Sequence, residues 1–262
     1  MMAPRDHQMN DDDPRRAVTE LTEADRGLDA RQLLAHVLER FGDKVALSSS
    51  LGAEDQVLTD MLCQVCDQPR IFTLDTGRLP EETYEVVERT RRKYGIQIEI
   101  LFPDQQQVEE MVNAYGPNLF YESIEARKRC CRIRKIEPLK RMLSQLDAWI
   151  CGLRSEQSLT RTGLQRIEWD DTFDLVKVSP LADWTTAQVW DYIKEHDVPY
   201  NKLHDQGYPS IGCAPCTRAI AEGDDIRSGR WWWEQPEHKE CGLHWNDRED
   251  KPKKEVRHHG SA

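Results

Sequence analysis

The stretch KVALSSSLGAED (residues 44–55) joins a short apolar run to a turn of small residues and then to an acidic helix start. Val57, Leu58, Met61, Leu62 and Val65 continue at helical spacing, so a helix is expected from Glu54 to about Cys66. Helix and strand patterns continue on either side. Upstream, Leu33, Leu34, Val37, Leu38 and Phe41 fall on one helical face. Downstream, RIFTL (70–74) reads as a second strand, and Pro80, Glu81 and Glu82 open a helix that Gly95 ends. IQIEILF (96–102) is a third strand, and a helix follows over 105–115. Residues 135–146 read as helix, starting as early as Arg127, with Pro138 marking a break or a new first turn. WICGL (149–153) is a fourth strand, 175–178 a fifth, and 185–196 a helix with Val189, Trp190 and Ile193 on its apolar side. This alternation predicts an α/β fold: a mostly parallel twisted sheet with helices on both faces. Ligands of such sheets bind beyond the carboxyl ends of the strands, where the polar motifs of this chain fall.

At 262 residues the chain suits one large domain with tails. Residues 1–27 are charged and poor in large apolar side chains and are expected to form a mobile arm; 246–262 read as a disordered tail. Between them, 28–225 form the α/β domain and 226–245 a separate C-terminal segment. Neither a membrane-length apolar run nor an apolar signal core is present, so a cytoplasmic protein with no membrane partner is expected. The net charge of −11 argues against nucleic acid as a partner but leaves room for a local basic pocket. In a reducing compartment the eight cysteines are not a disulfide framework.

Three loops have the residue types of an anion site. Ser48 to Asp55 offers small side chains and a helix start, though it reads equally as an ordinary capped turn. It lacks GxxxxGK[ST] and is not a Walker loop. Leu74-Asp75-Thr76-Gly77-Arg78 and Gly152-Leu153-Arg154, with Arg161 further on, add guanidinium groups suited to phosphate or sulfate. Each is also what a strand-to-helix loop with surface arginines looks like.

The cysteines carry more weight. Cys130-Cys131 sit in the basic run RKRCCRIRK, and Cys213-Ala214-Pro215-Cys216 follows about 80 residues later. Four thiolates serve an iron–sulfur cluster or a structural zinc. Adjacent cysteines reach separate iron corners of a cube more easily than one small zinc ion, which favours [4Fe–4S]. The other reading is a redox CxxC with two unrelated thiols. Cys63 and Cys66 lie on an apolar helix and Cys151 in an apolar strand, so these three read as structural. In the C-terminal segment, Arg227 and Arg230 precede three tryptophans, which cannot all face one core. Cys241, between Lys239 and Gly242, with His244 nearby, reads as a nucleophile or as an incidental thiol.

Taken in order, LDTGR (74–78), CC with IRKIEPLKR (130–141), CGLRSEQSLTR (151–161), SIGCAPCTR (210–218), GRWWWE (229–234) and KECGLH (239–244) resemble the assimilatory sulfonucleotide (PAPS/APS) reductase family, in particular its bacterial iron–sulfur type. The resemblance implies an adenine nucleotide alpha hydrolase-like fold, related to the PP-loop group, with a C-terminal catalytic tail. Residues 49–55 depart from that group's SGGxDS loop by lacking the glycine pair. It implies a [4Fe–4S] cluster on Cys130, Cys131, Cys213 and Cys216, and catalysis by Cys241, His244 and Lys135. Ser49, Ser50, Leu51, Gly52, Leu74, Thr76, Gly77, Arg78 and Gly152 would line the nucleotide side, and Arg154, Arg161, Arg227 and Arg230 the phosphosulfate. The implied reaction is reduction of adenosine 5′-phosphosulfate to sulfite and AMP through an S-sulfonated Cys241, in sulfate assimilation and cysteine biosynthesis. With no thioredoxin-like domain after Cys241, a separate thioredoxin or glutaredoxin is implied, and a homo-oligomer is expected. The rival substrate is the 3′-phosphorylated nucleotide, whose reductases typically lack the cluster cysteines. A tRNA-thiolating relative would need the SGGxDS loop, and a non-catalytic metal-binding module leaves Cys241 and the tryptophan–arginine segment without a role.

Overall fold

The computed structural model describes residues 14–157, 163–221 and 223–235. Arg161, Cys241 and His244, residues 1–13 of the expected arm and the whole of the expected tail lie outside them. The elements run α1 (Arg16–Ala24), α2 (Ala30–Phe41), β1 (Val45–Ser48), α3 (Ala53–Val65), β2 (Ile71–Leu74), α4 (Glu81–Tyr94), β3 (Glu99–Leu101), α5 (Gln105–Tyr115), α6 (Ile124–Cys131), α7 (Glu137–Leu143), β4 (Ala148–Ile150), β5 (Ile167–Asp170), β6 (Leu175–Val178) and α8 (Thr186–Glu195). A π-helical turn, Arg132–Ile136, joins α6 to α7. Local chemistry sets several boundaries. Asp29 and Gln32 form a capping box on α2, Thr185 and Gln188 one on α8, and Gly95 closes α4 in the left-handed conformation.

The six strands order as β3-β2-β1-β4-β6-β5, all parallel except β5, which pairs antiparallel with β6. Alternate side chains leave the sheet on opposite faces. Val45, Leu47, Ile71, Ala148, Ile150, Val176 and Val178 enter one core with α1, α2, α3, α4 and α8. Ala46, Phe72, Trp149 and Leu175 enter a second core under α7. A third cluster beyond the strand ends gathers Met111, Leu119, Phe120 and Trp231 around the cysteines. The chain runs β1 to β3 in one direction, then returns to place β4 on the other side of β1. That reversal opens a crevice beyond Ser48 and Ile150, where a doubly wound sheet binds its ligand.

The sheet is the expected one, with two differences at its margin. β5 had no strand signal: Ile-Glu-Trp-Asp gains its conformation from pairing with β6, and the Asp170 carboxylate accepts from Thr172 N–H and Phe173 N–H in the connecting turn. Residues 16–24 of the expected mobile arm are a helix packed on β5, with Ala17 and Leu21 in the first core. Arg166 ties the end of this helix down, through Asp25 at 3.1 Å and the Leu28 carbonyl at 3.0 Å. One leucine and one alanine per two turns suffice to dock a helix, although they do not look like a core segment. Leu21→Ala is expected to cost about 2 kcal/mol of stability in denaturant unfolding; an unchanged midpoint would mean that α1 is not part of the cooperative unit.

Candidate functional site

The crevice is knit together by one carboxylate. Asp55, in the first turn of α3, accepts from Ser50 N–H and Ser50 Oγ at 2.6 Å and from Gly152 N–H at 3.1 Å. It thus joins the loop after β1 to the loop after β4. An added Cβ at Gly152 would lie 2.3 Å from Asp55 Oδ1, so this approach requires glycine. Burial pushes the Asp55 carboxyl up to about 6, against the hydrogen bonds from Ser50 and Gly152 and with some help from the Glu54 charge.

Beyond these loops lies a cavity of about 290 Å³. Its wall includes Ser49, Ser50, Gly52, Leu74, Thr76 and Gly152, and also Lys135, Arg154, Arg227 and Arg230. On a chain of net charge −11 this is a local concentration of cations. Other expected members lie elsewhere. Leu51 turns into the first core, with a positive φ of 61°. Gly77 makes the tight turn after β2, at φ 70°. Arg78 donates to the Pro117 carbonyl and to Asn118 Oδ1 and lies over the Phe120 ring; it borders the cysteines rather than this cavity. Arg154 is at the wall, yet its guanidinium is engaged by Glu54, Glu156, Thr186 and the Trp184 carbonyl. It braces the wall as a structural strut.

Glu54, Asp55, Trp190 and His204 line the cavity without having been singled out as site residues. His204 packs edge-on against Trp190, with ring centroids 5.2 Å apart. Burial holds its imidazole below the ordinary range, with Glu54 pulling the other way, and Nε2 has no hydrogen-bond partner among the described residues. Only Glu54 and Asp55 carried a signal, as charges at a helix start beside small residues.

A second, smaller space adjoins the first and is lined by all four expected cysteines: Cys130 and Cys131 from α6, Cys213 and Cys216 from the loop before Arg230. Lys135, Cys213 and Trp231 line both spaces. Thr76 is a hub here. Its Oγ1 lies 3.2 Å from Cys213 Sγ, and its carbonyl accepts from Arg134 Nη1 at 2.6 Å. Ala214 N–H donates to the Arg78 carbonyl, stitching the CxxC loop to the β2 loop. Burial raises the Cys213 thiol, but the Lys135 charge and the Thr76 hydrogen bond outweigh it and leave the thiol below its ordinary value. Cys216 is pushed up to about 12 by burial and by the Cys213 charge. Among the described residues no three His, Cys, Asp or Glu side chains converge on one single-ion position; the four thiols are spread around a volume. Arg230 lines the first cavity, passing Gly212, where a Cβ would stand 2.3 Å from Nη2, and its Nε donates to the Cys216 carbonyl at 3.4 Å. Trp231 is buried with Arg127 and Arg230 against its ring, at 4.7 and 4.8 Å. No described helix is long and apolar enough to cross a membrane.

A cavity at the strand reversal of a mostly parallel sheet defines a doubly wound α/β protein. The solved structure of phosphoadenylyl-sulfate (PAPS) reductase from Candida auris superposes with a TM-score of 0.67 at 24% identity, covering 82% of this chain and 100% of that one. The FMN adenylyltransferase of Candida glabrata follows at 0.52 and 15%, covering 86% and 76%. The phosphoadenosine phosphosulfate reductase domain matches residues 44–219, and the chain belongs to that family. It is 54% identical over 215 residues to a protein of Allochromatium vinosum named adenosine 5′-phosphosulfate reductase, covering 82% of this chain and 84% of the relative. A Burkholderia cepacia protein of the same name is 53% identical over 212 residues, covering 81% and 84%.

Asp55 gives a pH signature. Its carboxyl holds a proton more firmly in the folded chain, near 6, than in the unfolded chain, near 3.8. Its contribution to stability is therefore full below about pH 4 and is withdrawn as pH rises through about 6. Asp55→Asn cannot titrate. The difference in melting temperature between wild type and variant should be largest near pH 4 and shrink toward pH 7; a gap that widens with pH would contradict the assignment.

Proposed function

We propose that this chain reduces adenosine 5′-phosphosulfate to sulfite and AMP, with Cys241 as nucleophile. The observation that carries the reading is the shared wall: Lys135, Cys213 and Trp231 bound both the nucleotide-sized cavity and the cysteine-lined space. The names of the relatives, at over half identity across most of their length, support the substrate.

In this reading the Cys241 thiolate attacks the sulfate sulfur. An S–S bond forms, the bond from sulfur to the bridging phosphate oxygen breaks, and AMP leaves with that electron pair. Lys135, Arg227 and Arg230 offset charge developing on the oxygens, an electrostatic role. Arg161 and His244 would add to this end. A thiol of a separate thioredoxin or glutaredoxin then attacks Cys241 Sγ. Sulfite leaves with the S–S electron pair, and the partner's second thiol resolves the mixed disulfide, restoring Cys241. The partner's dithiol supplies the two electrons, so the chain itself ends each cycle unchanged.

Cys130, Cys131, Cys213 and Cys216 would hold a [4Fe–4S] cluster. The donor set fits: four thiols spread around a volume suit separate iron corners, and Arg134, Lys135 and Arg230 supply positive charge to thiolate sulfurs. When bound, such a cluster supplies fixed charge and a rigid cross-link between α6 and the CxxC loop.

Protein purified without oxygen is incubated with nucleotide in the absence of reductant, and peptide masses are taken. A single SO3 adduct on Cys241 with adenosine 5′-phosphosulfate, absent in Cys241→Ser, is the expected result. An adduct formed only with the 3′-phosphorylated nucleotide would change the substrate and keep the mechanism. No adduct with either nucleotide would refute the covalent route.

A further inference from the structure

The π turn between α6 and α7 has a geometric task. Arg127, Cys130, Cys131 and Arg134 line the cysteine space, while Pro138, Leu139, Met142 and Leu143 are buried, the last three in the core under the sheet. A regular α-helix turns about 100° per residue. Over one unbroken helix the first set and the second would point in directions about 100° apart. The structure instead has a single wider turn over Arg132–Ile136, in which Glu137 N–H donates to the Arg132 carbonyl five residues back. One extra residue in a turn takes back about 100°, so both sets face the same side of one rod. Lys135 lies within this turn and is the cation that lines both spaces.

Pro138 follows directly. It has no N–H to give to the Arg134 carbonyl, and its ring conflicts with that carbonyl in a regular α-helix. The narrow turn is thereby disfavoured, and the wide one loses nothing by comparison. We propose that Pro138 is a positioning residue: it holds the π turn and so sets the rotation at which Lys135 meets the substrate cavity. The inference rests on the reading of Lys135 under the proposed function, but the turn itself is independent of it.

The test is a cycle of Pro138→Ala, Lys135→Met and the double variant, with kcat and KM measured on adenosine 5′-phosphosulfate and thioredoxin, and thermal unfolding alongside. Pro138→Ala is expected to lower kcat on the order of tenfold, as small misplacements of a charged group do. KM should change less than twofold and the melting temperature should not fall. The double variant should be no slower than Lys135→Met. A Pro138→Ala loss that persists in the Lys135→Met background, or full activity of Pro138→Ala, would overturn the proposal. Lys135→Met with normal kcat would overturn it through Lys135 itself. A second readout does not need turnover: AMP should protect Lys135 from acylation, read by peptide mass, in wild type and not in Pro138→Ala. Equal protection in both would overturn the proposal even if the assigned reaction proved wrong.

Discussion

The C-terminal segment is fastened to the cysteine helix by an ion pair taken out of water. Arg127 on α6 meets Glu234 through two hydrogen bonds, Nε to Oε1 at 3.0 Å and Nη2 to Oε2 at 2.8 Å, with side chains only 1% and 3% exposed. Removing one member of such a pair strands the other charge and costs about 3–5 kcal/mol, several times the value of a surface pair. Trp231 depends on this anchor. Its φ of 41° is unfavourable for a bulky residue, and it is held there by the guanidinium groups on its ring and by the Trp231 N–H bond to the Cys216 carbonyl. The tryptophan run thus divides its labour. Trp231 is interior, while Trp232 and Trp233 meet Tyr121 edge to face, and the Tyr121 hydroxyl donates to the Pro215 carbonyl.

The same logic recurs along the crevice. An acidic protein assembles a cationic wall by setting carboxylates behind it. Glu54 and Glu156 hold Arg154 at the cavity wall, and Glu234 holds Arg127 at the cysteine space. The guanidinium groups are therefore fixed before any ligand arrives, and little side-chain entropy remains to be lost on binding. Asp55 is the exception: its partners are backbone and hydroxyl groups, and it carries the raised carboxyl value.

The central sheet was legible because β1, β2, β4 and β6 are largely buried and read as short, mostly apolar runs between turn residues, β6 interrupted by Lys177. β5 was not, since its conformation comes from its neighbour. α1 was not, since two small or medium apolar residues are a weak local signal. The types and spacing of the cysteines pointed to a shared centre. That Thr76 and Arg134 would join them required the loop after β2 and the π turn after α6 to be brought together by the fold. Pro138 was visible as a discontinuity, but a break and a re-phased turn leave the same mark in sequence. Arg78 and Arg154 had the right chemistry and the right loops. Acceptors elsewhere in the chain, Pro117, Asn118, Glu156 and Trp184, claimed them, and no local pattern announces that. Trp190 and His204 reach the cavity only because α8 folds back over α3.

The two pairs of thiols that line one space are separated by about 80 residues of chain. During synthesis Cys130 and Cys131 leave the ribosome first, and at ordinary elongation rates their counterparts follow roughly 5–15 s later. Through that interval two adjacent thiols exist without the Thr76–Cys213 contact, the CxxC loop or the tryptophan that will later enclose them. A cell making this protein in the presence of oxidants therefore has a window of vulnerability set by the order of residues along the chain rather than by the finished fold, and any metal centre assembled there must be a late event in biogenesis.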